Sequence, residues 1–394
     1  MIKSIESLPV EGKNVLVRCD FNVPLKDGKI TDDTRITEAL PTIKALLEKG
    51  SAVILMSHLG RPGGKVSAEL SLKPVAERLN ELLDSEVRFC PEAAGEVARR
   101  MASDLKPGAV LLLENLRFYP GEKANDEEFA ENLASLADFF VQDAFGTVHR
   151  EHASMTGVPR RLESAAGRLL EKEIKFLSMA LQPEKPLAVC LGGAKIETKL
   201  GLIENMLDRA DCVLIGGAMA YTLLKQAGVR IGNSLYDENE MKTAENILRK
   251  AKEKPLDFIL PSDHIEADDI ESPGKIENTP DENINTGMAG VDIGSKTAKV
   301  FRENILNAKT IVLNGPMGIF EKEEFAKGTE MVLRAIAEAT KAGASSILGG
   351  GDTVSALKSL NFSKEDFTHV STGGGASLKF LEGKELPGIK ALRA

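Results

Sequence analysis

The sequence predicts an α/β protein whose parallel sheets are divided between two lobes. Three observations carry that expectation. A length of 394 residues exceeds what one sheet comfortably serves. Short β-branched apolar runs alternate with longer amphipathic segments from end to end, the order that right-handed crossovers between parallel strands require. Finally, Leu169, Leu170, Ile174, Leu177 and Leu181 stand at helical spacing, and Gln182-Pro183-Glu184-Lys185-Pro186 then stops the helix. A helix joining two lobes leaves a cleft beside it, the usual place for a ligand.

In the first half, strands are expected at 15–17, 52–56, 110–113 and 139–141, with helices at 33–49, 72–83, 93–101 and 126–137. The second half repeats the alternation with strands at 187–191, 212–215, 258–260, 310–313, 346–348 and 369–371. Residues 263–285 are acidic and rich in Asn, Pro and Gly, and read as a solvated excursion without chemistry. No low-complexity tract or short-period repeat interrupts the pattern.

Composition narrows the function. The chain is 42% hydrophobic and 28% charged, with 50 Lys and Arg against 59 Asp and Glu, a net charge of −9. Neither half is basic, and with no Trp and three Tyr a nucleic-acid binder with stacking aromatics is excluded. Any anion must be held by local groups. Cys19, Cys90, Cys190 and Cys212 are far apart without a CxxC pair, which fits a reducing cytosol better than a disulfide framework or a zinc site. The first residues lack a secretory apolar core and no run of eighteen apolar residues occurs, so a soluble cytoplasmic protein with no membrane partner is expected.

Glycine clusters directly follow the strands of the second half: Gly192-Gly193-Ala194-Lys195, Gly216-Gly217-Ala218, Asn314-Gly315-Pro316-Met317-Gly318, Gly349-Gly350-Gly351-Asp352-Thr353 and Gly373-Gly374-Gly375-Ala376. One such glycine is often only a tight turn. Five in one lobe point to a backbone that approaches phosphate closely at helix N-termini, beyond the carboxyl ends of parallel strands. The P-loop signature GxxxxGK[ST] and an opening GxGxxG are both absent. Phosphate binding would therefore rest on 350–353 and on Lys195 and Lys199, four apart on one face of a helix beginning after Gly193. Asp352 reads equally as an N-cap or as a carboxylate for Mg²⁺, and one residue can do both. Glu321 opens a further helix, where a first-turn carboxylate is electrostatically favoured.

The first half holds 12 of the 18 arginines. Arg61, Arg117 and Arg150 lie just past strand ends and Arg35 begins a helix, so together they imply one anion site built from guanidinium forks. Asp20 and Asn22 leave the first strand on one face and suit sugar-acid hydroxyls, or simply cap the turn before Pro24. With no Ser or Cys elbow nearby, His58 reads as a hydrogen-bond donor to phosphate and not as a hydrolase base.

These residues resemble a known family. Val17-Arg18-Cys19-Asp20-Phe21-Asn22-Val23-Pro24, Ser57-His58-Leu59-Gly60-Arg61-Pro62, and the segments 113–119, 143–150, 192–199, 314–318, 349–353 and 371–377 are similar, in order and over essentially the whole chain, to the motifs of the phosphoglycerate kinases. Ala218 stands where many members have a third glycine, which would tighten the adenine pocket, and Gln142 replaces a commoner Asn.

The resemblance implies two Rossmann-like lobes with mainly parallel sheets, joined by a hinge helix. Residues 1–170 would bind phosphoglycerate, 171–185 form the hinge helix and linker, 186–382 bind nucleotide, and 383–394 return to the first lobe. It implies reversible phosphoryl transfer from 1,3-bisphosphoglycerate to ADP, giving 3-phosphoglycerate and ATP, by a monomer. Asp20, Asn22, Arg35, His58, Leu59, Gly60, Arg61, Arg117 and Arg150 would hold 3-phosphoglycerate. Lys195, Lys199, Gly217, Gly290, Asn314, Glu321, Gly350, Gly351, Asp352 and Thr353 would hold MgADP or MgATP, with Glu321 on the ribose and Asp352 organising Mg²⁺. Arg35, Lys199 and the amides of Gly350 and Gly351 would stabilise an in-line transfer that becomes possible when the hinge closes. Two rivals remain from the residues alone: a nicotinamide dehydrogenase, which lacks its fingerprint, and a non-catalytic binding protein that closes on an anionic metabolite.

Overall fold

A computed structural model of the chain describes residues 2–393. They form two compact units, one taking residues up to Ile174 and those from Glu385 on, the other Lys175–Lys384.

The first unit is built on β1 (Asn14–Arg18), the hairpin β2 (Leu25–Lys26) and β3 (Lys29–Ile30), β4 (Ala52–Met56), β5 (Val87–Cys90), β6 (Val110–Leu113), β7 (Phe139–Gln142) and β8 (Glu163–Ala166). Six of these make one sheet in the order β5-β6-β4-β1-β7-β8, every pairing parallel. Strands β4 and β6 are buried at every residue, as a sheet covered on both faces demands. On one face Val15, Val17, Val53, Leu55, Val110 and Leu112 pack against Ile36, Ile43 and Leu46 of the helix Thr34–Glu48 and Val75 and Leu79 of the helix Lys73–Leu82. The helix expected at 126–137 runs Glu127–Ala134, with the Asp126 carboxylate accepting from Phe129 N at 2.8 Å. Besides the short hairpin β2–β3, the strands that sequence patterning overlooks, β5 and β8, are the edges of the six-stranded sheet. Edge burial is incomplete there, so Val-Arg-Phe-Cys and Glu-Ser-Ala-Ala carry no continuous apolar signal. The last residues join this unit, where Gly388 N donates to Val148 O at 2.8 Å.

The second unit contains β9 (Leu187–Leu191), β10 (Cys212–Ile215), β11 (Asp257–Ile259), β12 (His264–Ala267), β13 (Ile276–Asn278), β14 (Ala289–Ile293), β15 (Thr310–Asn314), β16 (Ser345–Gly349) and β17 (His369–Val370). Its main sheet, β11-β10-β9-β15-β16-β17, is again wholly parallel. The segment expected to be a solvated excursion is largely exposed over 268–283, but it is ordered: β12 and β13 lie in it and form a small antiparallel sheet with β14. Asp263, fully buried, accepts from Lys296 N, Thr297 N and Asn278 Nδ2, and so closes the N-terminus of the helix Ser295–Asn307. Asp263 and Thr279 are buried polar residues whose hydrogen bonds lie inside the fold. The helix Arg168–Leu181 is present as its spacing predicts, and it runs across the division between the units at 174. No helix among the described residues is long and apolar enough to cross a membrane.

Candidate active site

In an open parallel sheet, a crevice opens at the carboxyl ends of the strands where successive crossovers leave in opposite directions. Strand order places that point between β1 and β7 in the first unit and between β9 and β15 in the second. The residues singled out from sequence gather at these two places.

In the first unit, Asp20 follows β1 and accepts from Arg35 Nη1 at 2.9 Å, so the second residue of the helix Thr34–Glu48 is tied to the strand end. Asn22 Oδ1 accepts from Gly60 N at 2.8 Å, and Leu59 N donates to the buried Asn115 side chain at 3.1 Å. Leu59 itself is buried, so this loop is pinned by its backbone and presents Arg61, which is exposed. Arg61, Arg117 and Arg150 line one cavity of about 340 Å³ together with Gly63, Lys123 and His152.

Charge in this cluster is unbalanced. Burial pushes the Arg117 guanidinium down to about 10, and Arg150 and Arg18 add repulsion. Its Nε is buried without a hydrogen-bond partner. His58 is 2% exposed and is driven well below the usual imidazole range by burial, then by Arg18, Arg117, Arg150 and Arg35. It is a neutral ring at physiological pH, which agrees with a hydrogen-bonding role. Guanidinium groups held this close with so few carboxylates leave net positive charge, an arrangement suited to a multiply charged anion. Arg18 belongs to it although sequence reading did not single it out; the one available signal was a cation closing the apolar run Asn-Val-Leu-Val-Arg.

The second unit builds its site from backbone. Gly192 N donates to Asn314 O at 3.0 Å, Gly193 N to Pro316 O at 2.9 Å and Gly217 N to Met317 O at 2.8 Å, so three strand ends are laced together. Gly217 has φ +65°, and a Cβ there would overlap the Gly193 backbone, so no other residue fits. A cavity of about 470 Å³ opens beside this lacing, lined by Gly217, Tyr221, Gly290, Pro316, Glu321 and Asp352 among others, with Ala218, Leu235, Val291 and Met317 supplying apolar wall. Ile270 and Glu271 also line it, and Lys322 Nζ clasps Glu271 Oε2 at 3.0 Å; these wall residues sit in the segment from which no chemistry was expected.

Lys199 is 8% exposed, and burial lowers its ammonium to about 8, partly offset by Asp352. Its Nζ donates to the Asn314 carbonyl at 3.0 Å and to the Asn314 side-chain oxygen, while Asn314 Nδ2 is buried without a partner. Gly350, with φ +100°, turns the chain into the helix Gly351–Ser359, whose first-turn amides have no acceptor within the helix.

Three expectations change, and one hydroxyl proves to have partners within the fold. The helix expected after Gly193 begins only at Leu200, following a 3-10 turn at Glu197–Lys199, so Lys195 is exposed while Lys199 is buried and they share no face. Asp352 is the second residue of its helix and not the cap, which is Gly350. Glu321 lies in a turn before Glu323–Phe325 and opens no helix. The Thr353 hydroxyl is committed within the fold, donating to Gly349 O at 2.7 Å and accepting from Gly315 N at 2.8 Å.

Among the described residues no group of three or more His, Cys, Asp or Glu side chains is placed to hold a metal ion. Asp352, at the wall of the cavity with helix amides beside it, fits an ion whose other ligands arrive with phosphates.

Comparison with known proteins agrees with this geometry. Residues 5–384 match the sequence model of the family described as phosphoglycerate kinase. The chain is 53% identical over 392 residues to the phosphoglycerate kinase of Thermosipho africanus, covering 99% of this chain and 97% of that one. It is 51% identical over 394 residues to the phosphoglycerate kinase of Clostridium botulinum strain 657, covering 99% and 98%. The solved phosphoglycerate kinase of Coxiella burnetii superposes with a TM-score of 0.92 at 41% identity, covering 100% of this chain and 99% of that one. That of Pyrococcus horikoshii OT3 superposes with a TM-score of 0.85 at 35% identity, covering 100% and 98%.

Proposed function

This chain belongs to the phosphoglycerate kinase family, and from that premise we propose how its residues divide the work of the reaction, the reversible ATP-generating phosphoryl transfer of glycolysis. The observation that carries the assignment is the cluster of Arg18, Arg117, Arg150 and Arg35 around a buried neutral His58, a set of cations too large for the carboxylates among them. We assign 3-phosphoglycerate to this cluster, with Arg61, Arg117 and Arg150 on its phosphate side and Asp20 and Asn22 toward its hydroxyl. The loop Leu59-Gly60 shapes the approach. Nucleotide goes to the second unit, its base in the cavity by Gly217 and Gly290 and its ribose toward Glu321. Its phosphates run to Lys199, Asn314 and the amides of Gly350 and Gly351, with Lys195 at the rim and Thr353 holding the turn.

No general base is needed. The attacking group is a carboxylate in one direction and a phosphate oxygen in the other, both ionised at pH 7. The work is in-line positioning and neutralisation of charge on the transferring group. Arg35 and Lys199 are assigned that neutralisation, the division of labour that a closing motion about the helix Arg168–Leu181 would complete. The reaction uses ATP or ADP with a metal ion, which we take to be Mg²⁺ held by Asp352 and the nucleotide phosphates, where it would neutralise phosphate charge. A cytoplasmic monomer is the accompanying reading; four free buried cysteines support the compartment.

The test is direct. The purified chain with ATP, MgCl₂ and 3-phosphoglycerate should release ADP, and omission of either Mg²⁺ or 3-phosphoglycerate should abolish release. Equal ADP release without 3-phosphoglycerate would sink the assignment.

A further inference from the structure

Behind the arginine cluster lies a buried carboxylate with no part in the reaction as described so far. Glu122, in the short helix Pro120–Ala124, has no exposed surface. An uncompensated carboxylate in such a place is costly, so its partners define its purpose. Oε2 accepts from Ser154 N at 3.0 Å and Oε1 from Ser154 Oγ at 2.6 Å, and His152 Nδ1 lies 3.6 Å from Oε1. Burial pushes the Glu122 carboxyl up, yet His152, Arg18 and Ser154 together hold it below its ordinary value, so it stays an anion.

The polarity of the chain follows from donor counting. A serine hydroxyl has one proton. Having given it to Glu122, Ser154 Oγ can only accept, and Arg18 Nε donates to it at 2.9 Å. Arg18 Nη1 is engaged by the Cys19 carbonyl, and Nη2 lies 3.3 Å from His58 Nδ1. A guanidinium has no acceptor. His58 Nδ1 must therefore accept, and the single proton of the neutral ring sits on Nε2. The competing arrangement is on hand: Asp20 Oδ1 is 3.8 Å from the same Nδ1 and would draw the proton there if Arg18 turned away.

We infer that Glu122 and Ser154 are positioning residues for the phosphoglycerate site: they aim Arg18, and Arg18 fixes the tautomer of His58 so that its Nε2–H is left to donate to the ligand. Arg18, with each of its three nitrogens engaged inside the fold, acts through His58 and through its charge. The inference rests on the assignment of the arginine cluster to phosphoglycerate, and its experiment separates the two.

Nitrogen-15 spectra of the intact protein, with the His58 signals identified by their loss in His58→Asn, should show Nε2 protonated. In Ser154→Ala the ring should move toward the Nδ1-protonated form, and KM for 3-phosphoglycerate should rise roughly tenfold while KM for MgATP is unmoved. Ser154→Thr, which keeps the hydroxyl, should restore both readouts. Glu122→Gln should act in the same direction, and Ser154→Ala keeps the test open should that variant fold poorly. An unchanged His58 tautomer in Ser154→Ala overturns the relay. Arg150→Ala tests the underlying assignment: if it raises KM for 3-phosphoglycerate while Ser154→Ala moves neither readout, the assignment stands and the relay falls. Unchanged KM in Arg150→Ala brings down the assignment, and the tautomer measurement still decides whether the relay exists.

Discussion

The two units are each built on a six-stranded parallel sheet with a crevice at the strand ends, yet on the proposed assignment they would hold phosphate by opposite means. The first uses side chains: guanidinium groups on separate loops, one of them buried with an unpartnered Nε. The second uses backbone: glycine turns laced to one another, a helix N-terminus after Gly350, and a single buried lysine. A small ligand of high charge density offers little surface beyond its oxygens, so charge-assisted forks must do the recognising. A nucleotide offers a broad apolar base as well, and a glycine-lined cavity lets it approach the main chain with fewer fixed charges. Concentrated charge costs mutual repulsion and desolvation; close backbone approach costs freedom to vary sequence. Each unit carries the cost its ligand imposes.

Three experiments break or sharpen this contrast. Arg35→Ala removes a cation assigned to the transferring group, and turnover should fall on the order of a thousandfold while MgATP affinity changes only severalfold. Equal losses in steady-state turnover and in nucleotide binding would contradict that role. Gly217→Ala attacks the backbone site alone. With φ +65° and the Gly193 backbone in the way, the lacing must shift, so MgATP affinity by calorimetry should fall about a hundredfold. Phosphoglycerate binding should persist. Loss of both together would show that the two sites are not independently built.

The smallest effect is in pH. Lys199 titrates near about 8 because burial disfavours its charge. In the free enzyme kcat/KM for MgATP should decline about tenfold per unit as pH rises past that value. The linkage sign is the reverse for stability. Unfolded lysine titrates near ~10.4, so between about 8 and that value the unfolded chain binds more protons, and this group's contribution to stability rises with pH. A kcat/KM profile flat through pH 9 would contradict the pairing of a lowered Lys199 pKa with a phosphate-binding role.

Much of the site was legible because its chemistry is local. Glycine after a strand and arginine beyond one are visible in a few consecutive letters, and parallel strands then bring those loops to one end of a sheet. What escaped depends on neighbours distant in sequence. Arg18 reads as the end of an apolar strand until Ser154 and His58 are placed against it. Glu122 looks like a first-turn surface carboxylate until the segment Ala153–Gly157 covers it. Lys195 and Lys199 look equivalent until the chain turns between them and buries only the second. In the mostly exposed 263–285 segment, what escaped is the strand pairing of β12 with β13 and the reach of Ile270 and Glu271 to the cavity, because a polar hairpin and a solvated loop have the same composition.

The sequence by itself determined the α/β class, the buried central strands, the helix Arg168–Leu181 and the kinds of group available for binding anions. Those follow from periodicity and residue chemistry, which act over a few residues. Tertiary structure alone decided protonation and surroundings: which histidine is held neutral, which lysine is buried to a lowered pKa, which carboxylate is buried beneath an arginine and which closes a helix N-terminus. These depend on desolvation and on partners more than a hundred residues away along the chain, as Ser154 is from Arg18, and neither quantity exists until the chain has folded.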